Sequence, residues 1–280
     1  MPKRLSEKQL ACYRENGFVA PITALTPQET AIFRRRFEDY EQTHHGWYAL
    51  SKGQKLYLLQ TWARDLARHP RILDAVEDVL GADILLWGLS LFVKEAKDPS
   101  YVSWHQDSTY WGLSEPDVVT AWVALSRSDR ASGCMKMLPG SHKLEQLPHN
   151  DTLAEHNLLT RGQEIAVEVD ERKAEYLELK PGEISLHNIR TVHGSEPNRS
   201  SQRRIGVAMR YVAPHVKQLH SERDSAWLVR GKDRFGHFVH ERPPRRDMDA
   251  AARAEHDRIM SLRQGILYQG VRGKPAHLDS

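Results

Sequence analysis

The chain has 280 residues and a mass of 32.2 kDa, with 40% hydrophobic and 28% charged residues, which is typical of a soluble globular protein. The formal net charge of +3 gives no indication of nucleic-acid binding. The two cysteines exclude a disulfide framework and fit a reducing compartment. Because the N-terminus lacks an apolar signal segment and the longest apolar run, residues 84–93, is too short to span a bilayer, we expect a cytoplasmic protein that binds neither membranes nor nucleic acid.

The first third of the chain is predicted to be helical. Capping-box patterns begin two helices, at Ser6 and at Thr26, and the first of these is expected to end near Gly17. A third helix is predicted over residues 63–80, where Pro70 marks either a start or a kink.

After residue 81 the pattern changes to short segments that are rich in β-branched and aromatic residues. Strands are predicted over residues 84–94, 118–125, 134–138, 165–169, 176–179, 184–187 and 205–212. Because regular helices do not separate these segments, they favour an antiparallel sandwich or barrel over a parallel α/β sheet. The tail from residue 220 is polar and arginine-rich, and it contains one predicted helix over residues 250–262.

Three residues have the pattern of a metal site. His105 and Asp107 stand in the sequence WHQD, and His193 stands in TVHGSEPN. Residues two apart on a strand point to the same face, so His105 and Asp107 can reach one ion, and a distant strand of a barrel can supply His193. Two imidazoles and one carboxylate form the facial set of non-haem Fe(II) oxygenases, which leaves three coordination positions open. Taken alone, each histidine also fits a surface or core position.

Arg204 follows His193 by eleven residues and can complete such a site. A guanidinium binds a carboxylate through two parallel hydrogen bonds. A 2-oxo acid that chelates iron needs a buried cation for its far carboxylate. If the turn over residues 198–201 joins two neighbouring strands, His193 and Arg204 can face one cavity. The alternative for Arg204 is a surface ion pair.

These motifs together resemble the phytanoyl-CoA dioxygenase family, which uses Fe(II) and 2-oxoglutarate. The resemblance rests on WHQD, VVTAWVALSRSDRASGCMKMLPGSHK and PGEISLHNIRTVHGSEPNRSSQRRIGVAMRYV. It implies an all-β core with helical additions, folded as a double-stranded β-helix (jelly roll) in a single domain over residues 1–280. It further implies a helical buttress at about 1–80, the core at about 81–215 and a C-terminal cap at about 216–280. The cofactors it implies are Fe(II), 2-oxoglutarate and O2.

The resemblance also implies roles for individual residues, which fall into iron ligands, a carboxylate-binding arginine and positions that line the co-substrate pocket. The matching residues are, in that order, His105, Asp107 and His193; then Arg204; then Gln106, Trp122 and Ser195. One branch of the family halogenates carbon and carries a small residue in place of the carboxylate ligand. Because Asp107 fills that position here, the sequence favours hydroxylation over halogenation.

Five further residues are candidates for contact with the substrate: Tyr110, Trp111, Arg223, Trp227 and Arg230. The first two either wall the substrate pocket or pack the barrel mouth. The last three either cap the pocket and meet an anionic substrate or belong to a solvated basic loop. His187 is either close to the metal or an ordinary interior residue.

We therefore predict an oxygenase that hydroxylates an aliphatic C–H bond of a small-molecule metabolite and releases succinate and CO2. Desaturation, cyclisation and endoperoxidation remain open, because the outcome depends on how the substrate is placed. A non-catalytic, metal-binding jelly-roll protein is a third hypothesis, against which the intact set of metal and carboxylate ligands argues.

Overall fold

The computed structural model describes residues 2–46, 54–159 and 162–267, apart from the side chains of Tyr110 and of residues 264–267. In these residues the helices are α1 (Glu7–Asn16), α2 (Pro27–Thr43), α3 (Thr61–Ala67), α4 (Pro70–Leu80) and α5 (Ala250–Leu267). The strands are β1 (Phe18–Thr23), β2 (Ile84–Lys94), β3 (Val102–His105), β4 (Val118–Ala124), β5 (Met135–Met137), β6 (His149–Asp151), β7 (Gln163–Ile165), β8 (Glu175–Tyr176), β9 (Glu183–Asn188), β10 (His193–Ser195), β11 (Arg204–Val212), β12 (Ser225–Arg230) and β13 (Val239–His240).

The helix starts predicted from capping patterns are confirmed. Ser6 and Thr26 each accept a hydrogen bond from the third residue of the helix that follows, and both helices form complete capping boxes. The first helix ends at Gly17, whose φ of 84° is in the left-handed region. The single helix predicted over residues 63–80 is wrong, because α3 ends at Ala67 and α4 begins at Pro70. Proline disfavours a helical conformation in the residue before it, so it starts a new helix here.

Two antiparallel sheets form the core, as the predicted jelly roll requires. The large sheet has the order β1-β9-β4-β11-β2-β12-β13, with only the β12–β13 pair parallel, and the smaller sheet has the order β3-β10-β5-β8. The inner faces meet in an apolar cluster to which β4 and β11 contribute Trp122 and Ala208 and β5 contributes Met135 and Met137. The helices pack their apolar side chains against the other face of the large sheet.

The large sheet extends beyond the range predicted for the core. β1 pairs with β9 at one edge, and β12 pairs with β2. β1 contains Pro21, which weakens the strand pattern but is tolerated at a sheet edge. The strand predicted over residues 165–169 is wrong after Ile165, because its partner β6 is only three residues long. The strand predicted over residues 176–179 is limited to Glu175–Tyr176. No helix in the described part of the chain is long and apolar enough to cross a membrane.

A glycine on β11 makes room for a large side chain in the barrel. Gly206 lies beside Trp122, and a Cβ atom at this position would overlap the indole ring. The ring lies in turn beneath the guanidinium of Arg204, whose Cζ is 5.4 Å from the ring centroid. The absence of a side chain at residue 206 therefore fixes the place of Trp122 next to Arg204.

We expect Gly206→Ala to destabilise the protein by about 1–3 kcal/mol, because the added methyl group forces Trp122 out of its place. The free energy of unfolding in urea measures this change. Gly88→Ala is the matched control in the neighbouring strand β2, since a Cβ there would meet Arg210 Cδ at an ordinary 3.4 Å. Equal stabilities of the two variants would contradict the proposed role of Gly206.

Candidate metal and co-substrate site

Three predicted metal ligands come together where the smaller sheet faces the barrel interior. β3 and β10 are antiparallel neighbours, and their register pairs His105 with His193. Asp107 begins a short 3-10 turn directly after β3, so this turn, and not the predicted strand alternation, brings the carboxylate to the histidines. One ligand atom from each of the three residues lies within 4.8 Å of the other two. His105 Nε2 and Asp107 Oδ1 are 3.4 Å apart.

Local hydrogen bonds fix the tautomer of both histidines. His105 Nδ1 donates to the carbonyl oxygen of Ser103 at 2.9 Å, and His193 Nδ1 donates to the carbonyl oxygen of Thr191 at 2.8 Å. Each bond leaves the Nε2 lone pair free for a metal, which is the usual arrangement of a metal-binding histidine. Both side chains are buried, so the donor atoms are held in one orientation. The donor set therefore fits Fe(II).

The charges of the three residues suit metal binding. Burial opposes the ionised form of Asp107, but the close imidazoles of His105, His187 and His193 hold its pKa well below the usual range. Burial lowers the pKa of His193 well below its ordinary value. The site therefore offers an ionised carboxylate and a neutral imidazole near neutral pH, which are the forms that bind a metal.

His187 lies next to this set without belonging to it. Its Nε2 atom is 3.8 Å from Asp107 Oδ2, and its ring centroid is 4.8 Å from that of His193. Its Nδ1 atom is buried and has no hydrogen-bond partner among the described residues. Of the two alternatives for His187, the position close to the metal ligands is the one observed.

Arg204 is a buried cation without a carboxylate partner. Its side chain is 1% exposed, and Nη1 donates to the carbonyl oxygen of Gly133 at 2.7 Å. Nε has no partner, and no described carboxylate lies within 4.0 Å of the guanidinium. Burial lowers the pKa of Arg204 to about 10, so the group stays charged at neutral pH. A buried charge of this kind needs a counter-ion, and the C5 carboxylate of 2-oxoglutarate fits this need.

Lys94 is a second buried basic side chain at this place, and sequence reasoning missed it. Lys94 on β2 lies opposite Arg204 in the strand register with β11, and it is 0% exposed. Its Nζ atom donates to Ser195 Oγ at 2.8 Å and also to the carbonyl oxygen of Glu196. Burial, assisted by the charge of Arg204, lowers the pKa of Lys94 to about 6. Ser195, a predicted pocket residue, is thereby linked to Arg204 through Lys94.

Gln106 is also predicted to line the pocket, and both the nitrogen and the oxygen of its side-chain amide form hydrogen bonds within the protein. Its amide nitrogen donates to the carbonyl oxygen of Arg190 at 2.9 Å. Its amide oxygen accepts from Leu147 N at 2.8 Å and from Gln146 Nε2 at 3.0 Å. These bonds tie the metal motif to the loop after residue 144. The predicted contact of Gln106 with the co-substrate stays a prediction.

Tyr110 and Trp111 are the two substrate candidates next to the metal motif. Trp111 is buried against Trp87, with ring centroids 5.1 Å apart, and the guanidinium of Arg210 stacks on it. The side chain of Tyr110 lies outside the described part of the structure. Trp111 therefore lies in the apolar wall of the barrel and also contacts a cation.

The three candidates in the tail do not come together with the metal ligands. Trp227 stacks on Tyr57, with centroids 6.0 Å apart. Arg230 forms ion pairs with Asp74 and Glu77 of α4, each at 2.7 Å. Arg223 is exposed. Because the partners of Trp227 and Arg230 belong to the helical layer, their role toward an anionic substrate stays a prediction that these contacts do not support.

Comparison with known proteins agrees with this geometry. The sequence model of the phytanoyl-CoA dioxygenase family matches residues 13–206. The chain is 35% identical to the solved structure of the non-heme monooxygenase ThoJ in its apo form, with a TM-score of 0.83 and coverage of 92% of this chain and 97% of ThoJ. It is 26% identical to the epimerase SnoN in complex with Fe3+, alpha-ketoglutarate and nogalamycin RO, with a TM-score of 0.61 and coverage of 76% and 85%.

A curated relative is the probable alpha-ketoglutarate-dependent hypophosphite dioxygenase of Stutzerimonas stutzeri, which is 28% identical over 176 residues. That match covers 62% of this chain and only 57% of the relative. The family model spans more than half of the chain and includes the three metal ligands and Arg204. The chain therefore belongs to the phytanoyl-CoA dioxygenase family of Fe(II)- and 2-oxoglutarate-dependent oxygenases.

Proposed function

We propose that this protein is a hydroxylase that acts on an aliphatic C–H bond of a small molecule and converts 2-oxoglutarate to succinate and CO2. The observation that carries the proposal is the complete ligand set of His105, Asp107 and His193, joined to a buried arginine without a counter-ion. Ser195 follows His193 on β10 and accepts a hydrogen bond from Lys94. Lys94 on β2 lies opposite Arg204 in the strand register with β11. The metal end and the carboxylate end of a chelating 2-oxo acid would thus have partners in one interior.

Each residue has a distinct task in this proposal. His105 and His193 would hold Fe(II) through Nε2, and Asp107 would hold it through its carboxylate. Fe(II) and 2-oxoglutarate, when bound together, would allow O2 to act as the oxidant: 2-oxoglutarate would give up two electrons and one carboxyl group, take one oxygen atom of O2 into succinate, and leave the other for an unactivated C–H bond. Arg204 binds the C5 carboxylate and so orients the co-substrate, while the ring of Trp122 covers the guanidinium and keeps water away from the ion pair.

Hydroxylation is favoured over halogenation because the carboxylate position is filled. Asp107 accepts a weak hydrogen bond from Thr120 Oγ1 at 3.5 Å and lies within ion-pair distance of two histidines. A halide cannot take a metal position that this carboxylate occupies. The similarity to ThoJ, a non-heme monooxygenase to which the chain is 35% identical, also favours oxygen insertion.

A second outcome of the same chemistry has support from relatives. SnoN is described as an epimerase and SnoK as a carbocyclase, and the chain is 26% and 25% identical to them. Placement of the substrate decides among these outcomes, so rearrangement or ring formation is the second candidate function. The non-catalytic hypothesis is disfavoured, because a buried arginine without a counter-ion costs stability unless it binds a ligand. The cytoplasmic location stays a prediction.

Removal of one metal ligand should weaken iron binding. We expect His105→Ala and Asp107→Ala each to lower Fe(II) affinity by about 10- to 100-fold, because the metal loses one protein ligand and only water or a solvent anion can replace it. Anaerobic calorimetric titration with Fe(II) measures the loss. His215→Ala removes an imidazole that is 44% exposed and serves as the control, which should bind iron like the wild type. Unchanged affinity in either ligand variant would remove that residue from the set.

Removal of the arginine should act on the co-substrate and not on the metal. We expect Arg204→Met to raise the KM for 2-oxoglutarate by about 10- to 100-fold, the value of a lost charged hydrogen-bond pair, while iron affinity stays the same. Release of CO2 from 2-oxoglutarate labelled at C1 measures the effect. Arg203→Met is the matched control, because its guanidinium binds Glu41 and Glu95 on the outside of the barrel. A KM in Arg204→Met equal to that of the wild type would contradict the proposal.

A further inference from the structure

A second arginine on β11 faces the metal set without an anionic partner. The Arg210 guanidinium stacks on Trp111, with Cζ 5.2 Å from the ring centroid. Its Nη1 atom donates to Ser90 Oγ at 2.7 Å. Nε is buried and without a partner, Nη2 donates to no described residue, and none of the described carboxylates lies within 4.0 Å. The Nε–Nη2 edge, which is the edge that binds an oxyanion with two parallel hydrogen bonds, is therefore free.

The strand register locates this free edge beside the metal ligands. Arg210 on β11 pairs with Thr120 on β4, so the two side chains lie next to each other on the same face of the sheet. The hydroxyl group of Thr120 is 3.5 Å from Asp107 Oδ2. The charge of Asp107 also acts on Arg210, where it opposes the lowering of the pKa by burial. Arg210 is half-buried, and it lies on the same face of the sheet as Thr120.

Two further buried cations near this place, Lys55 and Arg263, act on carboxylates other than Asp107. Lys55 forms a buried ion pair with Glu241. Arg263 of α5 stacks on Trp87, with Cζ 4.1 Å from the ring centroid, and its charge lowers the pKa of Asp224 against the effect of burial. These groups balance one another within the protein. They leave Arg210 with no negative charge other than that of Asp107.

Binding of Fe(II) and 2-oxoglutarate uses up the one negative charge that acts on Arg210, which is the charge of Asp107. A bound metal shares the charge of Asp107, and the two carboxylates of 2-oxoglutarate are matched by the metal and by Arg204. Lys94, with a pKa of about 6, adds little positive charge above neutral pH. The loaded site therefore keeps the positive charge of Arg210, which neither the protein nor the co-substrate balances. The guanidinium is half-buried and its Nε atom is buried, so it is partly desolvated and favours the binding of an anion.

We propose that Arg210 is the substrate-recognition residue and binds one oxyanion of the substrate, a carboxylate, sulfonate or phosphonate group, against the wall formed by Trp111. The substrate is then a small anionic molecule whose oxidised carbon lies within reach of the metal while its anion is held by Arg210. This inference rests on the proposed function, since it requires iron and 2-oxoglutarate in the same interior.

The test compares an anion with its neutral isostere. Methanesulfonate and dimethyl sulfone have nearly the same shape, and neither is a strong iron ligand. We expect the anaerobic Fe(II)–2-oxoglutarate form of the wild type to bind methanesulfonate at least about tenfold more tightly than dimethyl sulfone by calorimetry. Arg210→Met should abolish this preference, and Arg210→Lys should retain a smaller one. Arg127→Met, in which a side chain that is 78% exposed is neutralised, should keep the wild-type preference.

The affinity for 2-oxoglutarate separates the outcomes. We expect Arg210→Met to bind 2-oxoglutarate within about threefold of the wild type, which also shows that the variant is folded. The proposal would be overturned if the wild type showed no preference for the anion and Arg210→Met lost affinity for 2-oxoglutarate. Arg210 would then serve the co-substrate. Full preference in Arg210→Met would overturn it as well. If that variant does not fold, Arg210→Gln, which also removes the charge, takes its place, and an undiminished preference in Arg210→Gln would have the same meaning. A wild type that binds no 2-oxoglutarate would instead refute the proposed function itself.

Discussion

The pairing of β3 with β10 is the contact on which the site depends. It sets His105 against His193, although the two residues are far apart in the sequence. A slip of one residue would turn His193 to the other face of the sheet, since side chains alternate along a strand. The same short strand carries Ser195, which binds Lys94. One register therefore determines both the metal ligands and the link to the carboxylate end of the site.

The second constraint is buried positive charge. Arg204 and Arg210 are held in a barrel whose own carboxylates are already used, and each guanidinium lies over a tryptophan ring. Cation–π contact offsets part of the desolvation cost but cannot replace a counter-ion. The protein thus has a lower stability without ligands than a neutral interior would give it. That cost is consistent with a site built to bind two anions, one at each end of β11.

The sequence predicted the fold class and the motifs that carry the metal site, but it did not predict every strand. His105, Asp107, His193 and Arg204 stand in motifs whose spacing is specific, and the apolar runs of β2, β4 and β11 are long enough to be recognised. β1 and β12 were missed because a proline and neighbouring arginines hide their alternation, and only long-range pairing makes them strands. Lys94 was missed because it is the last residue of β2, where a polar residue is expected to face solvent. Arg210 did carry a signal, since a lone charge within an apolar strand needs a buried partner or a ligand.

The central claim is that one interior binds Fe(II) through three side chains and 2-oxoglutarate through the metal together with Arg204. Anaerobic titration of the metal-free protein with Fe(II) and then with 2-oxoglutarate tests it most directly, because the chelate has a visible metal-to-ligand charge-transfer band. We predict that the band forms in the wild type, is absent in His193→Ala, and needs more 2-oxoglutarate in Arg204→Met. A folded wild-type protein that binds iron and 2-oxoglutarate without this band would contradict the claim.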